Sequence, residues 1–205
     1  MRTLGKTVKF LACAALLALV ASPAAAVPVL PAGSVWEFTF TDPGPGWNTT
    51  TGGWETGLAP FGNSLGNSYD PAGHFNYRTF WPADGTDGTD LWVRTSVNLT
   101  GFNLASVAWH LGVDNGFLLY ANGTAIAGGN AEGYTGRWEY IGGFAGGVLN
   151  PGMNVIALQL EDHGGLTAFD MEITGDRAPV PEPGSMILLS TGLVGLGRAW
   201  RKRRG

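Results

Sequence analysis

Trp47, Trp54 and Trp81 stand in stretches rich in glycine and proline, with Asn48, Asn63, Asn67 and Arg78 close by in sequence. Such a grouping suits a sugar. A pyranose ring presents C–H bonds on its faces, which pack on an indole, while amide and guanidinium groups bond its hydroxyls. The expected ligand contacts are therefore Trp47, Trp54, Trp81 and Arg78. The same tryptophans also fit an architectural part, plugging the ends of a sandwich with their indole N–H groups bonded to backbone carbonyls, and buried aromatics outnumber ligand platforms. Trp36 and Trp109 alternate with polar residues along strand-like runs and read as core.

Asp84, Asp87 and Asp90 form a second constellation, three positions apart in Asp84-Gly85-Thr86-Asp87-Gly88-Thr89-Asp90. Calcium takes about six to eight oxygen ligands, and aspartates beside glycine-freed carbonyls can wrap it. The spacing is not that of an EF-hand, whose loop runs about 12 residues and ends in glutamate. Asp and Gly also form plain solvated turns, the commoner fate of such a loop. A structural calcium is the one cofactor this sequence suggests.

Signals for catalysis are weak, and the expectation is a chain without enzymatic activity and with no catalytic residues to name. Gly62-Asn63-Ser64-Leu65-Gly66 fits the G-x-S-x-G nucleophile pattern, but Pro60 before it and Asn67-Ser68-Tyr69-Asp70-Pro71 after it replace the strand and helix an elbow needs. His74, His110 and His163 lie too far apart to form a local metal pair. Glu55, Glu132, Glu139 and Glu161 would serve glycoside hydrolysis only if the fold brought two carboxyls to about 5–9 Å.

What must position these residues is a body of one domain. Between Val27 and Val180 there are four arginines, no lysine and fifteen carboxylates, a formal charge of −11 against −4 for the whole chain. That balance excludes a nucleic-acid footprint. The single cysteine, Cys13, lies outside this span, so no disulfide holds the body together. Roughly 150 residues suffice to bury about 70% of the unfolded surface.

Turn residues recur every eight to twelve positions and no long helical period appears, the pattern of an all-β sandwich. Trp36, Phe38 and Phe40 alternate with Glu37, Thr39 and Thr41. Residues 42–73 read as a long loop. Leu91, Val93, Thr95, Val97 and Leu99 face one way, Trp92, Arg94, Ser96 and Asn98 the other. Val107 to Val113 alternates likewise, Phe117 to Tyr120 runs through an Asn122-Gly123 hairpin turn into Ala125-Ile126-Ala127, and Trp138–Phe144, Asn154–Leu160 and Phe169–Ile173 complete the set. The fold class expected is an all-β jelly-roll of about eight strands, flanked by an N-terminal signal helix and a C-terminal single transmembrane helix.

The two ends differ from the body. Arg2, Lys6 and Lys9 precede the apolar run Phe10–Val20, and Ala24-Ala25-Ala26 follows, as in a secretory signal peptide cleaved after Ala26, with Ala24 and Ala26 as the small residues of the site. Most of the apolar run follows Cys13, which speaks against lipidation there. At the other end Pro181-Glu182-Pro183 precedes Met186–Trp200, and Arg201-Lys202-Arg203-Arg204 closes the chain with Arg198 just upstream. Fifteen residues make about 22 Å of helix at ~1.5 Å each, short of a ~30 Å hydrocarbon core, so the segment suits a temporary anchor held by its basic flank. The division expected is 1–26 signal peptide, 27–178 sandwich, 179–185 linker with the Pro-Glu-Pro triplet, 186–200 membrane helix and 201–205 basic tail.

The order of triplet, apolar run and basic cluster from Val180 to Gly205 resembles the PEP-CTERM sorting signal of bacterial exported proteins. The resemblance implies processing by a membrane exosortase near Pro181, Glu182 and Pro183. In the body, Trp54-Glu55-Thr56-Gly57-Leu58-Ala59-Pro60-Phe61-Gly62 with Leu91-Trp92-Val93-Arg94, then Val113-Asp114-Asn115-Gly116-Phe117 with Tyr120-Ala121-Asn122-Gly123, then Gly152-Met153-Asn154-Val155-Ile156-Ala157-Leu158 with Phe169-Asp170-Met171, is similar to galactose-binding-domain-like jelly-rolls, including those appended to bacterial glycosidases. That likeness implies a carbohydrate-associated module, usually without catalysis and often with a structural calcium. The function expected is an exported cell-surface or matrix protein, without catalysis, that contacts exopolysaccharide and is sorted through its tail. The alternatives are a structural matrix protein with only protein contacts and a glycan-active hydrolase. The partners expected are an exosortase-type enzyme, extracellular polysaccharide and, before processing, the inner membrane, with no nucleic acid.

Overall fold

The computed structural model describes residues 26–63, 77–83, 89–131 and 138–178. Eleven strands form there, the longer ones from period-two alternation: β1 Val27–Leu30, β2 Val35–Thr39, β3 Glu55–Leu58, β4 Phe61–Gly62, β5 Thr79–Phe80, β6 Leu91–Asn98, β7 Ala108–Ala121, β8 Thr124–Ala131, β9 Tyr140–Gly143, β10 Met153–Glu161 and β11 Ala168–Gly175. A single 3-10 turn, Leu104–Ser106, is the one helical piece among the described residues; the Asn103 side chain caps it by accepting from the Ala105 N–H. No helix among them is long and apolar enough to cross a membrane. The expected signal helix and transmembrane helix lie outside the described residues.

All strands join one sheet, ordered β3-β2-β6-β10-β7-β11-β4-β5, with β1 on β11 and both β8 and β9 on β7. Strand β7 turns this sheet into a sandwich. Its first half, Ala108–Asp114, pairs with β11 and β9; its second half, Asn115–Ala121, pairs with β10 and β8. The sheet folds over at Asp114–Asn115, whose peptide bond is cis, and the two halves face each other. Trp36 of β2 meets Phe169 of β11 edge-on at 5.2 Å, and Phe38 meets Phe61 at 5.4 Å. Leu91, Val93, Leu111, Leu119, Ile156 and Leu158 fill the space between, all fully buried. Strand β10, nearly all apolar, sits between β6 and β7 as its composition requires.

Three differences from the sequence pattern have physical causes. The stretch 42–73 holds β3 and β4, because Glu55–Leu58 pairs with β2 although its own side chains are mostly exposed. The runs expected at Val107–Val113 and Phe117–Tyr120 join in one strand, β7, from Ala108 on. Asp114-Asn115-Gly116 resembles a turn, yet it stays in the ladder, with Asp114 and Asn115 buried and the Asn115 side chain accepting from the His163 N–H at 2.8 Å. Tertiary pairing thus overrides local turn propensity. The short strands β1 and β5 at the sheet margins carry too little alternation to be seen in advance.

Buried amides fasten one end of the sandwich. Asn122 (φ 51°) and Gly123 (φ 82°) form the β7–β8 turn, where glycine and asparagine tolerate positive φ. Asn122 donates from Nδ2 to the Val148 carbonyl and to Asn154 Oδ1, and its Oδ1 accepts from the Val155 N–H. Asn154 in turn accepts from the Asn150 N–H and donates to the Asn150 and Gly152 carbonyls. Removing such an amide leaves several buried partners unmatched. Asn154→Ala is expected to lower unfolding free energy by about 2–4 kcal/mol in denaturant titration; a loss below about 0.5 kcal/mol would show that the network contributes little.

Candidate functional site

The outer face of β2 and β6 carries the charged pair from which the site is built. Glu37 and Arg94 are Cα partners in the β2–β6 ladder. Arg94 is only 5% exposed. Its Nε donates to Glu37 Oε2 at 2.9 Å, its Nη1 to the Trp47 carbonyl at 2.9 Å and its Nη2 to the Gly52 carbonyl at 2.6 Å. Glu37 Oε2 also accepts from the Gly52 N–H at 2.7 Å. A buried guanidinium needs a counter-charge and filled donors, and here it has both.

These bonds draw the 41–54 stretch across the sheet. Trp54 lies against the guanidinium, 3.8 Å from its carbon to the ring centroid. Trp47 stacks on Trp54 at 5.9 Å and 20°, and meets Tyr120 of β7 edge-on at 5.7 Å. Further ties hold the stretch down: the Asp42 carboxylate accepts from the Gly44 N–H, Thr49 bonds the Gly46 carbonyl, and the Thr51 hydroxyl pairs with that of Ser96. Thr49 also reaches the β7–β8 turn so closely that a Cβ on Gly123 would lie 2.8 Å from its methyl carbon.

Beside the stack runs an open groove of about 370 Å³, lined by Phe38, Thr39, Phe40, Thr41, Gly53, Trp54 and Glu55. Phe40 is 37% exposed and rests edge-on against buried Phe38 at 5.5 Å. The lining combines aromatic surface, two threonine side chains and one exposed carboxylate. That mixture can pack against a ring's C–H face and bond its hydroxyls.

Of the residues singled out from sequence, Trp47 and Trp54 meet in this site. Trp81 does not join them: it is fully buried, its Nε1 donating to the Thr89 carbonyl at 2.6 Å and its own carbonyl accepting from the Thr167 hydroxyl. This is the plug arrangement, and it leaves no indole face for a ligand. Arg78 acts as a clamp elsewhere, donating from Nε to the Ala59 carbonyl at 2.6 Å and from Nη2 to the Gly33 carbonyl. Asn63 donates to the Gly165 carbonyl. Asp90 accepts from Gln159 Nε2 at 3.5 Å, while Asp84 and Asp87 lie outside the described residues. Among the described residues, no three His, Cys, Asp or Glu side chains are grouped to hold a metal.

Asn67, Ser64, His74, Glu132, Ala24, Pro181, Glu182 and Pro183 also lie outside the described residues. His163 Nε2 is 3.7 Å from Glu161 Oε2, and His110 faces the Trp138 ring at 6.1 Å. Glu139 adjoins Tyr140, whose hydroxyl pKa is raised by burial and, to a lesser degree, by that carboxylate. Sequence reasoning missed Arg94, Glu37, Tyr120 and Phe40. A signal for the first two existed, since opposite charges stand on the polar faces of two alternating runs and one of them is among only four basic residues in the body.

None of the curated proteins compared with the chain matches it. Among solved structures, the β-glucuronidase of Ruminococcus gnavus in complex with uronic isofagomine is 11% identical, with a TM-score of 0.48 over 77% of this chain and 29% of that one. The same enzyme in complex with D-glucuronic acid is 12% identical, with a TM-score of 0.48 over 77% and 30%. A β-glucuronidase from an uncultured Clostridium sp. is 9% identical, with a TM-score of 0.47 over 77% and 30%. The chain thus spans about 30% of the length of these structures. Residues 179–204 match the family described as the PEP-CTERM protein-sorting motif, so the chain carries the tail of an exported protein that an exosortase-type enzyme processes.

Proposed function

We propose that this exported protein is a jelly-roll module without catalysis that contacts extracellular polysaccharide through the groove beside Trp54. One observation carries the reading: an open groove of about 370 Å³ places exposed Phe40 and half-buried Trp54 beside Thr39, Thr41 and Glu55. Shallow, open sites with aromatic walls suit a chain of sugar units better than a small molecule, which is usually buried over most of its surface. The Arg94 bonds add support, because they fix the 41–54 stretch and so limit the ordering cost of binding.

Delivery follows from the two ends. A signal peptide cleaved after Ala26 would leave Val27, the first residue of β1 and the Cα partner of Gly175, at the mature N-terminus. The Met186–Trp200 segment then holds the body at the inner membrane until cleavage near Pro181-Glu182-Pro183 frees it for the cell surface or matrix.

The groove is tested by titrating the secreted protein against a glycan array. Phe40→Ala, which removes a partly exposed ring resting on Phe38, is expected to weaken binding roughly tenfold, about 1.4 kcal/mol, while the protein stays folded and loses about 1–2 kcal/mol of stability. Trp47→Ala keeps the Arg94 bonds, since these go to the Trp47 backbone carbonyl, and should weaken binding through the tilt of Trp54. A flat response of the wild-type protein to every glycan would overturn the reading. For the tail, Pro181→Ala with Pro183→Ala should accumulate an unprocessed membrane form on immunoblots of fractionated cells; normal release of the double variant would rule out cleavage that depends on the triplet.

A further inference from the structure

The charges around the groove define which sugars it accepts, an inference that rests on the polysaccharide reading above. Among the described residues that line the groove, Glu55 is the one charged side chain, and it is exposed. Asp42, exposed and next in sequence to Thr41 of the lining, adds a second carboxylate whose Oδ1 accepts from the Gly44 N–H. Arg94 stands beneath the same face but is closed to a ligand. It is 5% exposed, its Nε, Nη1 and Nη2 all donate within the protein, and its flat face is covered by Trp54. The other described arginines are engaged elsewhere, Arg78 with the Ala59 and Gly33 carbonyls and Arg177 over the Phe102 ring. A carboxylated or sulfated sugar entering the groove would shed water beside Glu55 and meet no free cation among the described residues. An ammonium group would gain a charge-assisted hydrogen bond there.

We propose that the groove takes hexose units bearing a free amine in preference to their acetylated or uncharged counterparts, and rejects uronate and sulfated glycans. The body's formal charge of −11 acts in the same direction at long range, raising the local concentration of cationic chains and repelling anionic ones.

The experiment measures binding of the full secreted protein to four oligosaccharides of equal length at pH 5.5 and low salt: glucosamine oligomers, N-acetylglucosamine oligomers, glucose oligomers and oligogalacturonate. Glucosamine oligomers are expected to bind at least tenfold more tightly than the acetylated set, and oligogalacturonate not at all. Glu55→Gln should cut the difference between the amine and acetylated oligomers at least threefold, leaving the smaller long-range part, and Phe40→Ala should weaken both. Raising the salt to 0.5 M should shrink the difference as screening shortens the reach of the carboxylates. Oligogalacturonate binding as tightly as the amine oligomer would overturn the proposed selectivity while leaving the polysaccharide reading intact. An amine advantage that Glu55→Gln leaves undiminished would overturn the selectivity in the same way. Glucosamine binding that Phe40→Ala does not weaken would show attraction to the acidic body alone and overturn the proposal. Failure of all four oligomers, together with a flat glycan array, would overturn the polysaccharide reading and this inference with it.

Discussion

The Arg94–Glu37 pair is the interaction on which the outer face depends. The 41–54 stretch has no strand pairing of its own, and glycine, proline and threonine give it little apolar surface to bury. Two of its carbonyls, those of Trp47 and Gly52, are instead gathered by one guanidinium already held by Glu37. A buried charge of this kind is costly to strand, so each partner depends on the others. The tryptophan stack follows from the same arrangement: Trp54 covers the guanidinium, Trp47 covers Trp54, and Tyr120 braces Trp47 from the side. The shape of the groove is therefore set largely by a polar anchor under the loop, with the aromatics as its outer layers.

The corner in β7 makes that anchor possible. By passing from one half of the sheet to the other, β7 closes the core over Trp36, Phe169 and their neighbours, and it also delivers Tyr120 to the outer face beside Trp47. Inner and outer layers of the β2–β6–β10–β7 half are thus both occupied. This explains why Arg94 is buried although it points away from the core. The first half of a strand that reads as amphipathic, Leu91–Arg94, is in fact buried on both faces.

Strand-forming runs were legible wherever alternation persisted for five or more residues, as along Leu91–Asn98 and Phe169–Ile173, and the Asn122-Gly123 turn was legible from its backbone chemistry. The meeting of Trp47 and Trp54 was legible only as a shared loop composition. The role of Arg94 was not, because its polar-face position in β6 predicts solvent, and only the loop folding back over it turns that position into an interior one. Trp81 misled for the opposite reason. Its proline- and glycine-rich flanks look exposed, yet the indole N–H finds the Thr89 carbonyl and the ring sinks into the sandwich. Local pattern reports which way a side chain leaves its own strand, and the layer above it decides whether that direction is wet or dry.

The pairing of β1 with β11 joins the two extremities of the body: Val27 lies opposite Gly175, and the Ala178 N–H is tied to the Gly101 carbonyl immediately before the sorting motif begins. During synthesis and export the first of these strands emerges at the outset and the second only at the close. The margin of the sheet therefore stays open until nearly every residue of the body has crossed, and its closing contact is among the most distant in the chain, the kind that makes a β fold slow to complete. Because the sorting motif follows that last strand directly, it emerges at the stage of synthesis when the sandwich first has all the parts it needs to close.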